Sequence, residues 1–452
     1  MSSHLLDHIQ AQGDGRRLCR ARIPSALLAD PGRIPVETDG FAHIDLTLAD
    51  SKIVGLDPAG QDVDQGCDLA GAIILPVLAD IHTHLDKSYI GRRVTNPDNS
   101  LLGAVRATTS DHENWTEDDL WTRADFALRC AYAHGTAYMR SHLDVLGGQS
   151  NTVWRTMARL RDEWRGRIEL QFVAMAPLGF YLDEGASGFA GRAAEHGALL
   201  GGVTVLRNVP AAEMDNKLVD ALNALFGYAR THNLDIDLHV DESLDPGATT
   251  LLSVAEATER HNWQGRVTCG HCCSLSQMDD KQREAILARC SMAGISLVSL
   301  PLVNTWLQDR RTNRTPTRRG IAPLLEARAH GIPIGLASDN CGDPFHPFGD
   351  YDLMEVLREG TRTAQLSERS PDWVESVTTV PASLMGADVR LRVACGADFI
   401  VFSARSLEEM LTRPQHDRVV FRSGRPLRQP LPSFAELDRV FAGDRAGLQG
   451  LR

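Results

Sequence analysis

The chain has 452 residues, of which 43% are hydrophobic and 23% charged, an ordinary globular composition. Its formal net charge of −12 argues against nucleic acid as a partner, because phosphate binding requires clustered basic residues. We expect no membrane partner either, since no window reaches the roughly 18 uncharged apolar residues of a membrane span and the N-terminus lacks the features of a secretory signal.

Short segments of alternating polarity occupy both ends of the chain. Near the N-terminus the stretch "FAHIDLTLADSKIVGL" is bounded by turn residues, and near the C-terminus "GADFIVFSA" and "DRVVFRSGRPL" have the same character. This pattern is typical of small antiparallel strands. We therefore predict a small β-sandwich-like domain formed from both chain ends, residues 1–75 and 386–452.

Between these ends, eight apolar runs recur: "AIILPVLAD", "GTAYMRSHLDV", "IELQFVAMAP", "LLGGVTVL", "LDIDLHVDE", "RVTCGHCC", "GISLVSLPLV" and "IPIGLASDN". Most of the gaps between them hold helical patterns, for example "LVDALNALFGYARTHN", "LLSVAEATERHN" and "KQREAILARCSMA". Strand and helix alternating eight times predict an α/β fold, a TIM-like (β/α)₈ barrel, over residues 76–385. Strands covered on both faces explain why the runs are continuously apolar.

Polar side chains stand at the C-terminal ends of five of these predicted strands. The residues concerned are His82 and His84 on the first strand, His142 and Asp144 on the second, His239 and Glu242 on the fifth, His271 on the sixth, and Asp339 and Asn340 on the eighth. These ends meet at one rim of a (β/α)₈ barrel, where the chemistry of such barrels takes place. Because alternate residues of a strand share one side, His82 and His84 can aim two imidazoles at one point. Three imidazoles and a carboxylate predict a site for a divalent metal such as zinc or iron.

The same residues suggest a reaction. A divalent ion held by neutral imidazoles and one carboxylate activates water at neutral pH. Asp339 can contact the ion and accept a proton from that water, and Glu242 can carry a proton to a ring nitrogen or a leaving group. His271 can contact the water or polarise the substrate. Hydrolysis at an electrophilic carbon follows from this set.

Three further clusters have two interpretations each. Cys269, Cys272 and Cys273 flank His271, and we favour packing or pocket lining over a sulfur ligand because no second cysteine pair follows. Lys87, with Asp86, is either a surface pair or part of the rim. The basic stretch "DRRTNRTPTRRG" is either a solvated loop or a loop that closes over a binding site.

The whole pattern resembles the amidohydrolase superfamily, and within it the bacterial cytosine-deaminase-like branch. The resemblance covers nearly the whole chain. It includes "HTHLDK", "GTAYMRSHLDV", "HVDES", "GH" at Gly270 and His271, "PLVNTWLQDR" with a downstream "RRG", and "ASDNCGDPFHPFGDYDLMEVL". These motifs are specific in combination, although each alone is weak.

The resemblance implies roles for single residues. The ligands of one metal ion would be His82, His84, His239 and Asp339. Glu242 would be the proton shuttle, and His271 would contact the attacking water. The fourth strand "LLGGVTVL" contains no lysine, so a carbamylated lysine with a two-metal centre is not implied.

Two departures from the cytosine deaminases concern the substrate. Those enzymes carry a glutamine just after the third strand, where this chain has Pro177 followed by Leu178, and neither side chain can hydrogen-bond. They also carry a second aspartate after the metal ligand, where this chain has Asn340. We therefore expect a substrate with an apolar or bulkier edge facing the third strand. Pro177, Leu178, Asn340 and Phe345 are the predicted substrate-binding residues.

From the sequence we predict a metal-dependent hydrolytic deaminase, which releases ammonia or an amine from a small nitrogen heterocycle such as a cytosine-like, triazine-like or creatinine-like ring. The alternatives are a cyclic amidohydrolase that cleaves a ring amide bond and a non-catalytic metal-dependent binding protein. The expected cofactor is one divalent ion, Zn or Fe, and the expected assembly is a homo-oligomer. Nine cysteines, an odd number in a long chain, favour reduced thiols and hence a cytoplasmic location.

Overall fold

A computed structural model describes residues 6, 7, 9, 17–60, 66–206, 210, 213–366 and 371–441. Within this part of the chain, no helix combines the length and the hydropathy that a membrane span requires. The strands form two separate eight-stranded sheets, one from the chain ends and one from the middle of the chain.

The first sheet contains strands from both ends of the chain. Its members are β1 (Arg17–Pro24), β2 (Phe41–Ala49), β3 (Lys52–Pro58), β4 (Cys67–Asp68), β5 (Ile73–Pro76), β14 (Phe399–Phe402), β15 (Val419–Arg422) and β16 (Arg425–Pro426). They lie in the order β16-β15-β14-β5-β1-β2-β3, with β4 beside β1. The two chain ends meet where β5 pairs antiparallel with β14, with Ile74 opposite Val401. The prediction of a separate β-structure built from both ends is confirmed.

The second sheet is the barrel. Its strands are β6 (Leu78–Thr83), β7 (Thr136–Asp144), β8 (Glu169–Pro177), β9 (Leu199–Val203), β10 (Ile236–Val240), β11 (Val267–His271), β12 (Ser296–Ser299) and β13 (Ile334–Leu336). They follow one another in chain order, as a (β/α)₈ barrel requires. Thr83 and Asp339 form a parallel bridge that joins the last strand to the first, and Asp339 N donates to His82 O at 2.8 Å. All eight predicted strands are present, and the predicted TIM-like barrel is confirmed.

The first apolar run contains two strands rather than one. Its first half, β5, belongs to the sheet of the chain ends, and its second half, β6, belongs to the barrel. Pro76 ends β5, and proline has no N–H to continue a ladder. The chain therefore passes from one sheet to the other within a single apolar run, and the hydrophobic pattern alone does not show this change.

The helices alternate with the barrel strands and continue after them. They are α1 (Leu101–Asp111), α2 (Glu117–His134), α3 (Ser150–Trp164), α4 (Ala186–Glu195), α5 (Met214–His232), α6 (Thr250–Arg260), α7 (Asp280–Met292), α8 (Pro301–Leu307), α9 (Leu324–Ala329), α10 (Leu353–Ala364), α11 (Thr379–Leu384), α12 (Leu407–Thr412) and α13 (Asp438–Phe441). Local caps set several starts: Ser100 accepts from Gly103 N before α1, and Asp279 accepts from Gln282 N before α7. The three helices predicted from sequence patterns correspond to α5, α6 and α7.

The chain divides into two compact units. One contains described residues of Met1–Ala79, Cys130–Tyr138 and Asp352–Leu431, and the other those of Asp80–Arg129, Met139–Tyr351 and Pro432–Arg452. The domain boundaries predicted from the sequence stay a prediction. Residues 1–5, 8, 10–16, 61–65 and 442–452 of the predicted end domain lie outside the described residues.

A buried ion pair lies inside the barrel. Arg140 on β7 donates from Nη1 to Asp237 Oδ2 on β10 at 2.7 Å, and the two side chains are 2% and 0% exposed. Arg140 also donates from Nε and Nη2 to Gln171 Oε1 on β8. This network joins three strands below the polar rim, so each charge depends on its partner.

Removing one charge of this pair should destabilise the barrel. Arg140→Met leaves the Asp237 carboxylate buried and unpaired, which costs about 3–5 kcal/mol. Arg155→Met is the matched control, because Arg155 and its partner Glu117 are 66% and 42% exposed, and such pairs contribute about 0–1 kcal/mol. Thermal and denaturant unfolding of both variants measures the difference. Equal stability of the two variants would contradict this account of the network.

Candidate active site and metal centre

A cavity of about 280 Å³ opens at the C-terminal ends of the barrel strands. It brings together residues that follow strands far apart in the sequence. Its lining includes His84, Lys87, His112, Asp144, Met175, Pro177, Val203, Val205, His239, Glu242, His271, Asp339, Asn340 and Phe345, with Leu101, Leu102 and Val105 of α1. The predicted convergence of polar strand ends on one rim is thus present in the structure.

Side-chain atoms of His82, His84, His239 and Asp339 lie close to one another at the rim. The Nε2 atom of His239 is 3.2 Å from that of His82 and 3.3 Å from that of His84. Asp339 Oδ1 is 3.1 Å from His84 Nε2 and 3.7 Å from His82 Nε2. Ligand bonds of about 2.0–2.1 Å in a tetrahedral shell separate neighbouring ligand atoms by about 3.3 Å. These four of the six distances are close to that spacing. Two groups within the described residues could hold a metal ion: His82, His84 and Asp339 form one, and His82, His142 and His239 form the other. His142, at the end of the second barrel strand, therefore also lies at this cluster.

The hydrogen-bonding state of this cluster also fits a metal. Within the described residues, neither carboxylate oxygen of the buried Asp339 has a hydrogen-bond partner of normal geometry, and its nearest polar contact is His84 Nε2 at 3.1 Å. Buried polar groups are normally paired, so an unpaired carboxylate among imidazoles requires an explanation. A bound cation would explain the buried carboxylate. Imidazole nitrogen together with a carboxylate oxygen is a ligand set that suits zinc or iron.

Protonation favours ligand binding as well. Burial lowers the pKa of His82 and of His239 well below the usual range, and the neighbouring imidazoles lower it further. Burial alone would raise the pKa of Asp339, but the nearby His84 and His271 outweigh it and leave that pKa below its usual value. The cluster thus offers neutral imidazoles and an ionised carboxylate, which are the forms that bind a metal.

The backbone at the strand ends is adapted to this cluster. Asp241, His271 and Asp339 adopt positive φ angles of 48°, 69° and 61°, which non-glycine residues rarely do. Gly270 precedes His271, and a Cβ at Gly270 would lie 3.0 Å from Cε1 of His82. Glycine therefore admits the His82 ring, and the strained turns direct side chains into the cavity.

Glu242 and His271 lie together beside the four converging atoms. Glu242 Oε1 is 3.5 Å from His271 Nδ1, and both residues line the cavity. Burial, with a contribution from Asp339, raises the pKa of Glu242 well above its usual value, which favours the protonated form of its carboxyl group. Burial lowers the pKa of His271 to about 4, although Asp339 opposes the shift.

Asn304 is a residue of this site that the sequence patterns did not reveal. Its Nδ2 donates to His271 Nδ1 at 2.9 Å, which leaves the ring proton on Nε2. Nε2 of His271 has no partner among the described residues and is therefore a free donor. Asn304 belongs to the motif "PLVNTWLQDR". Its position just after the seventh barrel strand was the one feature of the sequence that could have indicated a place at the rim.

Three of the four predicted substrate-binding residues line the cavity, namely Pro177, Asn340 and Phe345. Asn340 donates from Nδ2 to Asp343 Oδ2 at 2.6 Å, which fixes its amide. Leu178 is 1% exposed and lies outside the lining described above. The chain turns into a short 3-10 helix at Leu178, which directs this side chain into the core.

The remaining clusters are placed as follows. Cys269, Cys272 and Cys273 are buried free thiols. Neither group of described residues that could hold a metal ion contains a cysteine, which agrees with the interpretation that these thiols pack in the interior. Lys87 is buried and lines the cavity, as the rim interpretation requires. The five arginines of the basic stretch are Arg310, Arg311, Arg314, Arg318 and Arg319. All five are exposed, which favours the interpretation of this stretch as a solvated loop.

Comparison with known proteins bears on this geometry. Residues 174–426 match the model of a family described as Amidohydrolase family. A pterin deaminase from Rhizobium rhizogenes is 41% identical over 429 residues, which are 94% of this chain and 96% of that protein. The chain belongs to the amidohydrolase family.

Other relatives agree with this membership. An N-isopropylammelide isopropyl amidohydrolase from Pseudomonas sp. strain ADP is 24% identical, over 84% of this chain and 92% of that protein. The crystal structure of a 5-methylcytosine deaminase from Klebsiella pneumoniae has the same fold, with a TM-score of 0.78, 23% identity, and coverage of 92% of this chain and 98% of that one. As an amidohydrolase, the chain is a metal-dependent hydrolase of carbon–nitrogen bonds.

Proposed function

We propose that this amidohydrolase is a hydrolytic deaminase that releases ammonia from an amino-substituted nitrogen heterocycle, with an aminooxopteridine as the leading candidate. The observation that supports it most is the position of Glu242 and His271, whose Oε1 and Nδ1 atoms are 3.5 Å apart, in the cavity that His84, His239 and Asp339 also line. A protein that only binds a ligand would not need a proton donor and a proton acceptor together at this place.

Four residues, His82, His84, His239 and Asp339, would hold one divalent ion, zinc or iron. When bound, such an ion polarises an electrophile and makes water nucleophilic at neutral pH. Asp339, which is ionised, accepts a proton from the attacking water.

Glu242 and His271 act on the substrate. Glu242 donates a proton to the ring nitrogen next to the reacting carbon, and the proton that Asp339 has taken from the water passes to the departing amino group. The hydroxyl group now on the carbon loses its proton to Glu242 as the C–N bond breaks, which restores both carboxyl groups. His271 donates from Nε2 toward the attacked carbon's oxygen, in the orientation that Asn304 maintains. The heterocycle thereby exchanges a C–NH₂ group for C=O and releases ammonia.

The cavity indicates the size and polarity of the ring. A volume of about 280 Å³ lies near the lower end of ligand pockets, roughly 300–1,000 Å³, and suits one or two fused rings. Met175, Pro177, Val203 and Val205 form an apolar wall on the side of the third and fourth barrel strands. A pteridine, the substrate named for the 41% identical relative, presents a second ring to such a wall, whereas cytosine does not.

This preference can be measured on the metal-loaded enzyme with pterin, cytosine, an alkyl-substituted pyrimidine and an aminotriazine. We expect ammonia release, and kcat/KM at least tenfold higher for pterin than for cytosine, because a buried unmatched edge costs about 1–3 kcal/mol. A tenfold preference for cytosine would contradict our interpretation of Pro177. Ring opening without ammonia would instead indicate a cyclic amidohydrolase, and binding without product would indicate a non-catalytic binding protein.

Two further proposals accompany this function. A single ion is proposed because His239 Nε2 and Asp339 Oδ1 both lie beside the Nε2 atoms of His82 and His84. A reducing compartment such as the cytoplasm is proposed because all nine cysteines are free thiols. The homo-oligomer and the absence of nucleic-acid and membrane partners stay predictions from the sequence.

A further inference from the structure

A lysine and an aspartate form a charged pair in the cavity. Lys87 Nζ is 2.9 Å from Asp144 Oδ2, and the Lys87 side chain is 2% exposed. An ammonium group has three N–H donors, and Asp144 is its one hydrogen-bond acceptor within the described residues. Since both residues line the cavity, unused donors of Lys87 are available to a ligand there.

The surroundings hold this pair in place. Asp144 N donates to Asp86 Oδ2 at 2.6 Å, which fixes the end of β7. The Phe345 ring lies 5.6 Å from Lys87 Nζ on the other side. Asp144 remains 20% exposed, and His112 Nε2 is 3.8 Å from its Oδ2. Lys87 and His112 both contact Oδ2 of Asp144, so its Oδ1 can still accept a hydrogen bond.

Both groups are charged at neutral pH. Burial lowers the pKa of Lys87, but Asp144 and Asp86 more than compensate and leave that pKa above its usual value. Burial raises the pKa of Asp144, but Lys87 outweighs it and leaves that pKa far below its usual value. The pair thus combines a strong donor and a strong acceptor with no net charge.

We propose that Lys87 and Asp144 bind a neutral edge of the substrate on which a hydrogen-bond acceptor and donor are adjacent, as in the C=O and N–H of a ring lactam. In a lactam these two atoms are about 2.2 Å apart by standard bond lengths, and the two groups that would meet them are in direct contact, with Nζ 2.9 Å from Oδ2. This inference rests on the proposed function, because it assigns the edge of the heterocycle beside the reacting amino carbon.

The two charges of the pair disfavour two other kinds of substrate edge, one that carries a carboxylate and one that is apolar. A carboxylate substituent would be attracted by Lys87 but repelled by Asp144 at the same position. An apolar edge would leave the buried ammonium without its remaining partners, and unpaired buried charges are costly. A 2-amino-4-oxopteridine has both the reacting amino carbon and a lactam edge.

The test uses the full-length metal-loaded enzyme and two ligands, 2-amino-4-oxopteridine and its 4-methoxy counterpart, which lacks the lactam N–H. Calorimetry gives Kd, and ammonia release gives kcat/KM. We expect the wild type to bind the lactam about 10- to 100-fold more tightly, and Lys87→Met and Asp144→Asn to lose this preference. Asp144→Asn should also bind a ring with a carboxylate on that edge about tenfold more tightly than wild type does, because the nearest negative charge beside Lys87 is removed while that of Asp86 remains in both proteins.

The controls separate the possible failures. Lys281→Met alters an exposed lysine of α7 and should change neither value. Equal affinity of the wild type for the two ligands would overturn the inference without any variant, even if Lys87→Met does not fold. Discrimination between the ligands without ammonia release would support this subsite and contradict the proposed deamination.

Discussion

Replacing His239 by alanine is expected to abolish both bound metal and turnover. The Nε2 atom of His239 is the common neighbour of those of His82 and His84, so its loss leaves three ligands around a buried, open position. His82→Ala should have the same effect. Elemental analysis of the purified variants measures the metal, and ammonia release measures activity.

The exposed His416 supplies a control for this experiment, since His416→Ala removes an imidazole far along the chain and should retain full metal and activity. Full metal occupancy in His239→Ala or His82→Ala would show that the assigned ligand set is wrong. Loss of metal with retained turnover would show that the reaction does not need the ion.

Glu242→Gln should separate chemistry from metal binding. Glutamine keeps the shape of the side chain but cannot donate the carboxylic acid proton, so we expect kcat to fall about 100-fold or more while the metal content is unchanged. Steady-state kinetics and elemental analysis provide the two readouts. Glu256→Gln, on the exposed face of α6, is the matched control. Activity near that of the wild type would assign the proton transfer to another group.

Much of the fold could be predicted because buried strands require apolar residues, which can be recognised in the sequence. Parallel strands covered on both faces give continuous apolar runs, and each of the eight runs contains a barrel strand. The division of the first apolar run into two strands was not predicted, because hydrophobicity shows that a segment is buried and not which sheet buries it. The ends of the chain were recognised from their alternating pattern, which antiparallel strands exposed on one face produce.

Part of the site could be predicted because, in a (β/α)₈ barrel, a residue at the C-terminal end of any strand lies at the same rim. Polar residues at strand ends must meet at the rim, so the convergence of His82, His239 and Asp339 follows from topology. Asn304 was not predicted, because it belongs to α8 and its contact with His271 depends on how that helix lies. The burial of Leu178 was missed for a similar reason, since a 3-10 turn after β8 decides which neighbour of Pro177 faces the cavity.

The closure of the barrel has a consequence for the maturation of this enzyme. Of the four proposed ligands, only His82 and His84 are neighbours in the chain, whereas Asp339 reaches them through the bridge that joins the last barrel strand to the first. A nascent chain that ends before Asp339 cannot complete the shell, however well its earlier strands have formed. Complete ligation of the ion is therefore possible only late in synthesis, after the eighth barrel strand has been added.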